Sequence, residues 1–151
     1  MIRASIVVLA ILATVGTAAS PASALYAAQE TQVAALGPAT FIAYYWRAKP
    51  GQLEAYNEYI KTVAEPIDEE ARRAGVFEEV RTVVPGPGVT VDWTHLRIFR
   101  LKNAAAADAL SAGLDAATAR VVPEEARRKA NSERAATLRD AVRREVWTEL
   151  R

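Results

Sequence analysis

The sequence predicts an α+β fold, in which helices cover an antiparallel sheet and the element order is strand, helix, strand, strand, helix, strand. Runs of β-branched and aromatic residues alternate with an apolar stripe of helical period between residues 40 and 101. Lys49-Pro50-Gly51 marks the passage from the first strand to the first helix. Two prolines and two glycines in residues 85–88 separate the second strand from the third.

The first strand and the first helix are predicted on either side of Pro50. The run from Phe41 to Trp46 is apolar and largely aromatic, which favours a strand over residues 40–48. Pro50 suits the first turn of a helix. Apolar residues then recur at steps of three and four, at Leu53, Tyr56, Ile60, Val63 and Ile67. Pro66 predicts a kink, or a break near Thr62, and Gly75 predicts the end of the helix.

The second half of the chain predicts two strands, two helices and a short final strand. Residues 76–84 and 91–101 are predicted to pair as an antiparallel hairpin. Asn103 is a candidate N-cap for an alanine-rich helix that ends near Ala112, before Gly113. A charged helix is predicted from Pro123 to about Arg143. Alternation over residues 146–150 predicts a fourth strand, with a frayed helix end as the alternative.

The first 24 residues have the order of a secretory signal peptide. Arg3 is followed by an apolar run over residues 6–15 and then by small residues up to Ala24. The run is much shorter than the roughly 20 residues of a membrane-spanning helix. We therefore expect cleavage after Ala24, a periplasmic or secreted protein, and no stable membrane insertion afterwards. Residues 25–39 are predicted to be a flexible leader, and residues 40–151 a single domain.

Composition excludes several classes of function. The chain has no cysteine, which excludes disulfides, thiol chemistry and thiolate metal sites. Removing the predicted signal peptide leaves 18 basic and 18 acidic residues, so no net charge favours nucleic acid as a partner. No phosphate-binding glycine loop, nucleophile elbow or zinc-ligand spacing is present in the sequence. The sequence therefore names no reaction and predicts neither a cofactor nor a metal site.

Polar and aromatic residues at alternate strand positions form the predicted site. His95, the only histidine, is a candidate general base, and Arg97 is a candidate anion stabiliser. The alternative for His95 is a structural, hydrogen-bonded histidine. If the pairing register allows, both face away from the helices together with five candidate ligand-binding residues: Tyr45, Arg47, Glu79, Arg81 and Trp93.

Arginines beside aromatic rings suit a planar anionic molecule. The alternative for this surface is ion pairing across strands at a dimer interface, for example between Glu79 and Arg97 or Arg81. Tyr44 and Trp46 alternate with the candidate residues, so we expect them to pack beneath the helices.

The element order and three motifs resemble the dimeric α+β barrel superfamily, whose subunits have a ferredoxin-like fold. The motifs are Tyr45-x-Arg47-x-Lys49-Pro50-Gly51, Pro66 in the first helix, and Asp92-x-Thr94 before the third strand. The chain most resembles exported bacterial members without an assigned function. The resemblance implies that two sheets face each other across a two-fold axis, and that each subunit has a cavity between its sheet and its helices.

Three functions fit this sequence. The leading hypothesis is an exported homodimer that binds a small apolar, aromatic or anionic molecule, because both faces of the third strand carry bulky groups and need a covering layer. One alternative is a cofactor-free monooxygenase or isomerase acting on a small aromatic or anionic substrate. The other is a non-catalytic structural or interaction protein. A cavity of roughly 300 Å³ or more beside His95 or Tyr45 would favour the first two.

Overall fold

A computed structural model describes residues 38–150, which form a four-stranded sheet and its helices. The elements are β1 (Thr40–Ala48), α1 (Leu53–Tyr59), a π-helical turn (Ile60–Ala64), α2 (Glu65–Arg73), β2 (Glu79–Val83), β3 (His95–Leu101), α3 (Ala104–Val121), α4 (Glu125–Leu138) and β4 (Arg139–Thr148). The predicted signal peptide and all but the last two residues of the leader lie outside the described residues.

The four strands pair in the order β2-β3-β1-β4, and every neighbouring pair is antiparallel. With the observed order of helices and strands along the chain, this is the ferredoxin-like arrangement. The predicted α+β fold class is therefore confirmed. β1 is an inner strand, which explains why its apolar and aromatic run is the clearest strand signal in the chain.

The main core lies between the sheet and the helices. Ile42 and Phe99 pack there from the sheet, and Ala71, Leu110 and Ala117 pack from α2 and α3. The other side of the sheet carries a separate apolar cluster around Ala43, Tyr45 and Leu96. The sheet thus has a helix-covered face and a second face, which we call the open face.

The predicted disturbance at Pro66 takes the form of the π-helical turn that precedes α2. Proline lacks an N–H, and its ring would clash with the carbonyl four residues earlier in a regular helix. Here the Glu65 N–H donates to the Ile60 carbonyl, five residues back, which shifts the spacing before the proline. The Thr62 hydroxyl also donates to the Glu58 carbonyl at 2.7 Å. The helical segment therefore continues past Pro66 to Arg73 rather than breaking.

Several predicted boundaries differ from the structure. β2 and β3 are shorter than predicted. β2 begins at Glu79, after Phe77 has packed into the core, and β3 begins at His95. α4 ends at Leu138, and β4 begins at Arg139 instead of near residue 146. The charged run Arg139–Arg144 has the composition of a helix, but pairing with β1 places it in a strand. The predicted extension of the charged helix to about Arg143 is therefore wrong.

Gly113 lies inside α3, which continues to Val121 instead of ending near Ala112. A methyl group at Gly113 would lie 2.8 Å from Cγ2 and 3.2 Å from Cβ of Val76. Such distances are too short for carbon atoms in a packed interior. The glycine therefore allows α3 to approach the chain that leads into β2.

We expect Gly113→Ala to lower the free energy of unfolding by about 1–3 kcal/mol, because the added methyl group overpacks the contact with Val76. Helix propensity alone predicts the opposite sign, a gain of about 1 kcal/mol. Urea unfolding measures the difference. Val76→Ala is the control, because it removes both γ-methyl groups. In the Val76→Ala protein, Gly113→Ala should lower the free energy of unfolding by less than it does in wild type. A Gly113→Ala protein more stable than wild type would contradict the close packing.

Candidate functional site

The predicted site residues lie on two different faces of the sheet. In the β1–β3 register, Tyr44 is opposite Arg97 and Trp46 is opposite His95. Residues directly opposite each other share a face. His95 and Arg97 therefore lie on the helix-covered face with Tyr44 and Trp46. The prediction that they face away from the helices is wrong, and the placement of Tyr44 and Trp46 beneath the helices is confirmed.

The predicted ligand-binding residues of the strands belong to the open face. Tyr45 is opposite Leu96, and Arg81 is opposite Ile98. Glu79 shares the face of Arg81 because it lies two residues away on the same strand. The predicted and observed sets differ only in β3, where His95 and Arg97 face the helices instead of the opposite side. Strand alternation fixes which residues share a face within one strand, but not which faces of two strands coincide.

Tyr45 is the centre of a polar network on the open face. Its hydroxyl donates to Glu145 Oε2 at 2.9 Å, and the Arg143 guanidinium lies 3.8 Å from the centre of its ring. Arg143 also donates to Glu145 at 2.9 Å and to Asp92 at 3.1 Å. The Tyr45 hydroxyl and then Arg143 hold the pKa of Glu145 below its usual value. Trp93 packs edge-on against Tyr45, with ring centres 5.8 Å apart.

The other predicted ligand-binding residues are paired with protein groups. Arg47 Nε donates to the Asp92 carbonyl at 2.5 Å. Arg81 Nε donates to Glu79 at 2.5 Å, near the opposite edge of the sheet. Glu79 and Arg81 thus pair within one strand, whereas the ion-pairing alternative placed such pairs across two strands at a dimer interface. The five residues do not converge on one cavity.

His95 is enclosed, with 1% of its surface exposed. Its Nε2 lies 2.7 Å from Asn57 Oδ1, and its Nδ1 lies 2.9 Å from Thr94 Oγ1. An amide oxygen can only accept, so Nε2 carries the proton and Nδ1 accepts from the Thr94 hydroxyl. The Tyr56 ring packs edge-on at 4.6 Å. This geometry favours the structural alternative, and a role for His95 as general base stays a prediction.

Burial, and to a lesser extent the nearby Arg139, lowers the pKa of His95. As the pH falls through about 6.5, the His95 ring of the unfolded chain therefore binds a proton, whereas the ring of the folded protein stays neutral. The stability that comes from the neutral imidazole is complete above about pH 6.5 and is lost as the pH falls toward the folded-state pKa.

Because His95 is the only histidine in the sequence, its ring signal can be followed in a titration without other histidine signals. An NMR titration should give a midpoint for the His95 ring below the 6.5 of an unperturbed imidazole. His95→Gln should remove the corresponding pH dependence of unfolding. A midpoint at or above 6.5 would show that the ring is not held neutral by its surroundings.

A cavity of about 180 Å³ lies between the helix-covered face and the helices. β3 and the start of β4 contribute to one side, and α1, the π-helical turn, α2 and α3 form the rest. Its lining includes Tyr56, Tyr59, Arg97, Phe99, Leu114 and Arg139. Arg97 is the predicted site residue that lines it. The cavity is smaller than the roughly 300 Å³ expected above, and neither His95 nor Tyr45 lines it, so that expectation is not met. Its volume still suits a small ligand, since an apolar cavity of about 150 Å³ holds benzene.

Two arginines and one carboxylate give this cavity its charge. Arg97 forms an ion pair with Asp68, and the two side chains are 13% and 8% exposed. The Arg139 guanidinium stacks on Trp46, 3.2 Å from the ring centre, and lies 5.4 Å from the centre of Tyr56. Desolvation lowers the pKa of both arginines. The Nε atoms of Arg97 and Arg139 are buried and have no hydrogen-bond partner among the described residues.

The two phenols of the cavity remain protonated at neutral pH. Burial raises the pKa of Tyr56 and of Tyr59 above the usual value, although nearby arginines oppose the shift. Each hydroxyl is therefore a potential donor to a bound molecule. The rings lie close to parallel, with centres 6.5 Å apart.

Sequence reasoning did not identify Arg139, Asp68 or Tyr56 as site residues. Tyr56 lies on the predicted apolar stripe of the first helix, where a buried tyrosine looks like a core residue. Asp68 belongs to an acidic stretch that is typical of a solvated helix face. Arg139 lies in a run predicted to be helical, so nothing in the sequence places it beside Trp46.

Two further features of residues 38–150 bear on function. These residues contain no group of three or more His, Cys, Asp or Glu side chains arranged to hold a metal ion. In the same range, no helix combines the length and apolar character needed to cross a bilayer.

Comparison with known proteins confirms the fold. No protein-family model matches the sequence, and no curated protein matches it. HapK from Hahella chejuensis is 12% identical, with a TM-score of 0.50 over 74% of this chain and 92% of that one. A nipsnap family protein with unknown function from Agrobacterium tumefaciens str. C58 is 15% identical, with a TM-score of 0.52 over 76% of this chain and 90% of that one. At these identities the likeness concerns the fold alone.

Proposed function

We propose that this chain is an exported, homodimeric protein that binds a small molecule in the cavity between its sheet and its helices. The observation that carries the proposal is the cavity wall itself, where aromatic rings lie beside Arg97 and Arg139. Apolar walls with a few oriented polar groups are the usual composition of a ligand site. The open face is the weaker candidate, because its arginines already pair with Glu79, Asp92 and Glu145.

The open face supports the homodimer. Ile98 and Trp93, which are only partly buried, extend an apolar cluster of Ala43, Tyr45 and Leu96 there, and the helices pack on the opposite side. A sheet with apolar groups on both faces is stable when a second layer covers each face. A second copy related by a two-fold axis supplies a self-complementary layer.

The enzymatic alternative requires a group that can move a proton at the bound molecule. His95 contacts Tyr56 and lies behind the cavity lining. Besides its two arginines, the titratable groups that line the cavity are Asp68, held in its ion pair with Arg97, and the phenols of Tyr56 and Tyr59. These groups suit binding and orientation, so the proposal is binding rather than turnover.

Native mass spectrometry of the protein purified from its own cells tests both halves of the proposal. We expect the mass of a dimer with a retained small molecule. Ile98→Asp places a charge in the open-face cluster and should give monomers, whereas Val121→Asp, at the exposed end of α3, should leave the dimer intact. A monomeric wild type, or a dimeric Ile98→Asp protein, would contradict the proposed interface. A dimer that retains no compound and binds none from a small-molecule panel would contradict the binding function.

A further inference from the structure

We propose that the cavity binds a planar monoanion, an aromatic carboxylate of about one ring, through the guanidinium groups of Arg139 and Arg97. This inference rests on the binding function proposed above and names the class of ligand. Three features of the cavity support it: an unbalanced positive charge, two unpartnered donors, and a size that fits one ring.

The charge balance of the cavity favours an anion. Asp68 neutralises Arg97, but Arg139 forms no ion pair within residues 38–150. Arg139 is half-buried and lies between the rings of Trp46 and Tyr56. A desolvated charge without a counter-charge is unfavourable, so one added negative charge stabilises the site. A dianion would overcompensate, and a cation would be repelled.

The planar, charged donors of the two arginines favour a carboxylate. The Trp46 ring covers one face of the Arg139 guanidinium, 3.2 Å from its central carbon, so the N–H groups can bond only in the plane of the group. Nε of Arg139 and Nε of Arg97 are both buried without a partner among the described residues. Planar guanidinium donors match the two oxygens of a carboxylate, and such charge-assisted hydrogen bonds are stronger than neutral ones.

Size and lining favour a single aromatic ring. The cavity measures about 180 Å³, slightly more than the roughly 150 Å³ in which an apolar cavity holds benzene. Phe99, Leu114 and Ile67 supply apolar walls, and Tyr59 supplies a ring face. A two-ring ligand would have to widen the space between α3 and the sheet.

Isothermal titration calorimetry with benzoate, benzamide and benzylamine tests the inference, because the three probes share a ring and differ in charge. We expect benzoate to bind, benzamide to bind at least about tenfold more weakly, and benzylamine not to bind. Arg139→Gln should reduce benzoate affinity by at least about tenfold while leaving benzamide affinity unchanged. Arg144→Gln, an exposed arginine of the same strand, is the matched control and should leave both affinities unchanged.

NMR of the arginine side chains is measured on the wild-type protein, so this test does not depend on whether Arg139→Gln folds. The ¹H–¹⁵N resonances of Arg97 Nε and Arg139 Nε should shift when benzoate saturates the wild-type protein. Benzamide binding as tightly as benzoate, or unshifted Nε resonances at saturation, would overturn the anion inference and leave the binding function intact. Failure of every ring compound to bind, whatever its charge, would count against the proposed function as well.

Discussion

Replacing Asp68 with alanine is expected to lower the free energy of unfolding by about 3–5 kcal/mol, the largest loss of any single charge removal in the described part of the chain. The side chains of Asp68 and Arg97 are only 8% and 13% exposed, so removal of the carboxylate leaves the largely desolvated Arg97 without its counter-charge. The remaining Arg97 would also lie near Arg139 without compensation, and like charges in a desolvated site repel. Chemical denaturation monitored by circular dichroism measures the loss.

The double substitution Asp68→Leu with Arg97→Met separates this cause from simple loss of packing. Replacing a buried ion pair by apolar groups of similar volume is often close to neutral, so the double variant should recover most of the stability. Glu69→Ala is the neighbouring control. Glu69 has a pKa of about 2 because Arg72 and then Arg73 hydrogen-bond to it, but its pairs are exposed and their loss should have little effect. A double variant as unstable as Asp68→Ala would contradict the account.

Phe99→Ala is expected to lower the free energy of unfolding by a similar amount, about 3–5 kcal/mol. Phe99 is 3% exposed and packs edge-on against Phe77 at 5.0 Å and Tyr44 at 5.9 Å. Its ring also contributes to the cavity wall. Truncation to alanine removes these contacts and leaves a space that the inner strands of the sheet cannot close.

Phe99→Leu is the graded control, because leucine fills much of the same volume and should cost less than half as much. Leu150→Ala, at a position 98% exposed, should leave stability unchanged in the same urea series. A loss below about 1 kcal/mol for Phe99→Ala would mean that the space between sheet and helices is not packed as described.

The sequence predicted the fold because its strongest local signals agree with the tertiary structure. The aromatic run of β1 lies in the interior of the sheet, and Pro50 and Gly75 bracket the first helical segment as predicted. β4 was mostly missed for the opposite reason. Its charged residues have helical composition, and only the long-range pairing with β1, from Thr40 to Ala48, makes them a strand.

The site was harder to predict than the fold because it depends on register and on long-range contacts. Trp46 was predicted to face the helices and does so, but nothing local decides which residues of β3 share its face. The β1–β3 register places Trp46 beside His95, so His95 and Arg97 face the helices instead of lying on the opposite side as predicted. Arg139 joins the site because β4 begins earlier than the sequence pattern indicates. Arg97 was identified correctly as a charged strand residue, but its partner Asp68 lies 29 positions away.

The central claim is that this protein holds its ligand between the sheet and the helices rather than on the open face. A crystal structure of the protein with its retained compound, or with benzoate where none is retained, tests this most directly. We expect density for a ring beside Tyr56 and Leu114, with its acidic group within hydrogen-bond distance of the Arg139 guanidinium. Density on the open face beside Tyr45 and Trp93, with none in the cavity, would contradict it.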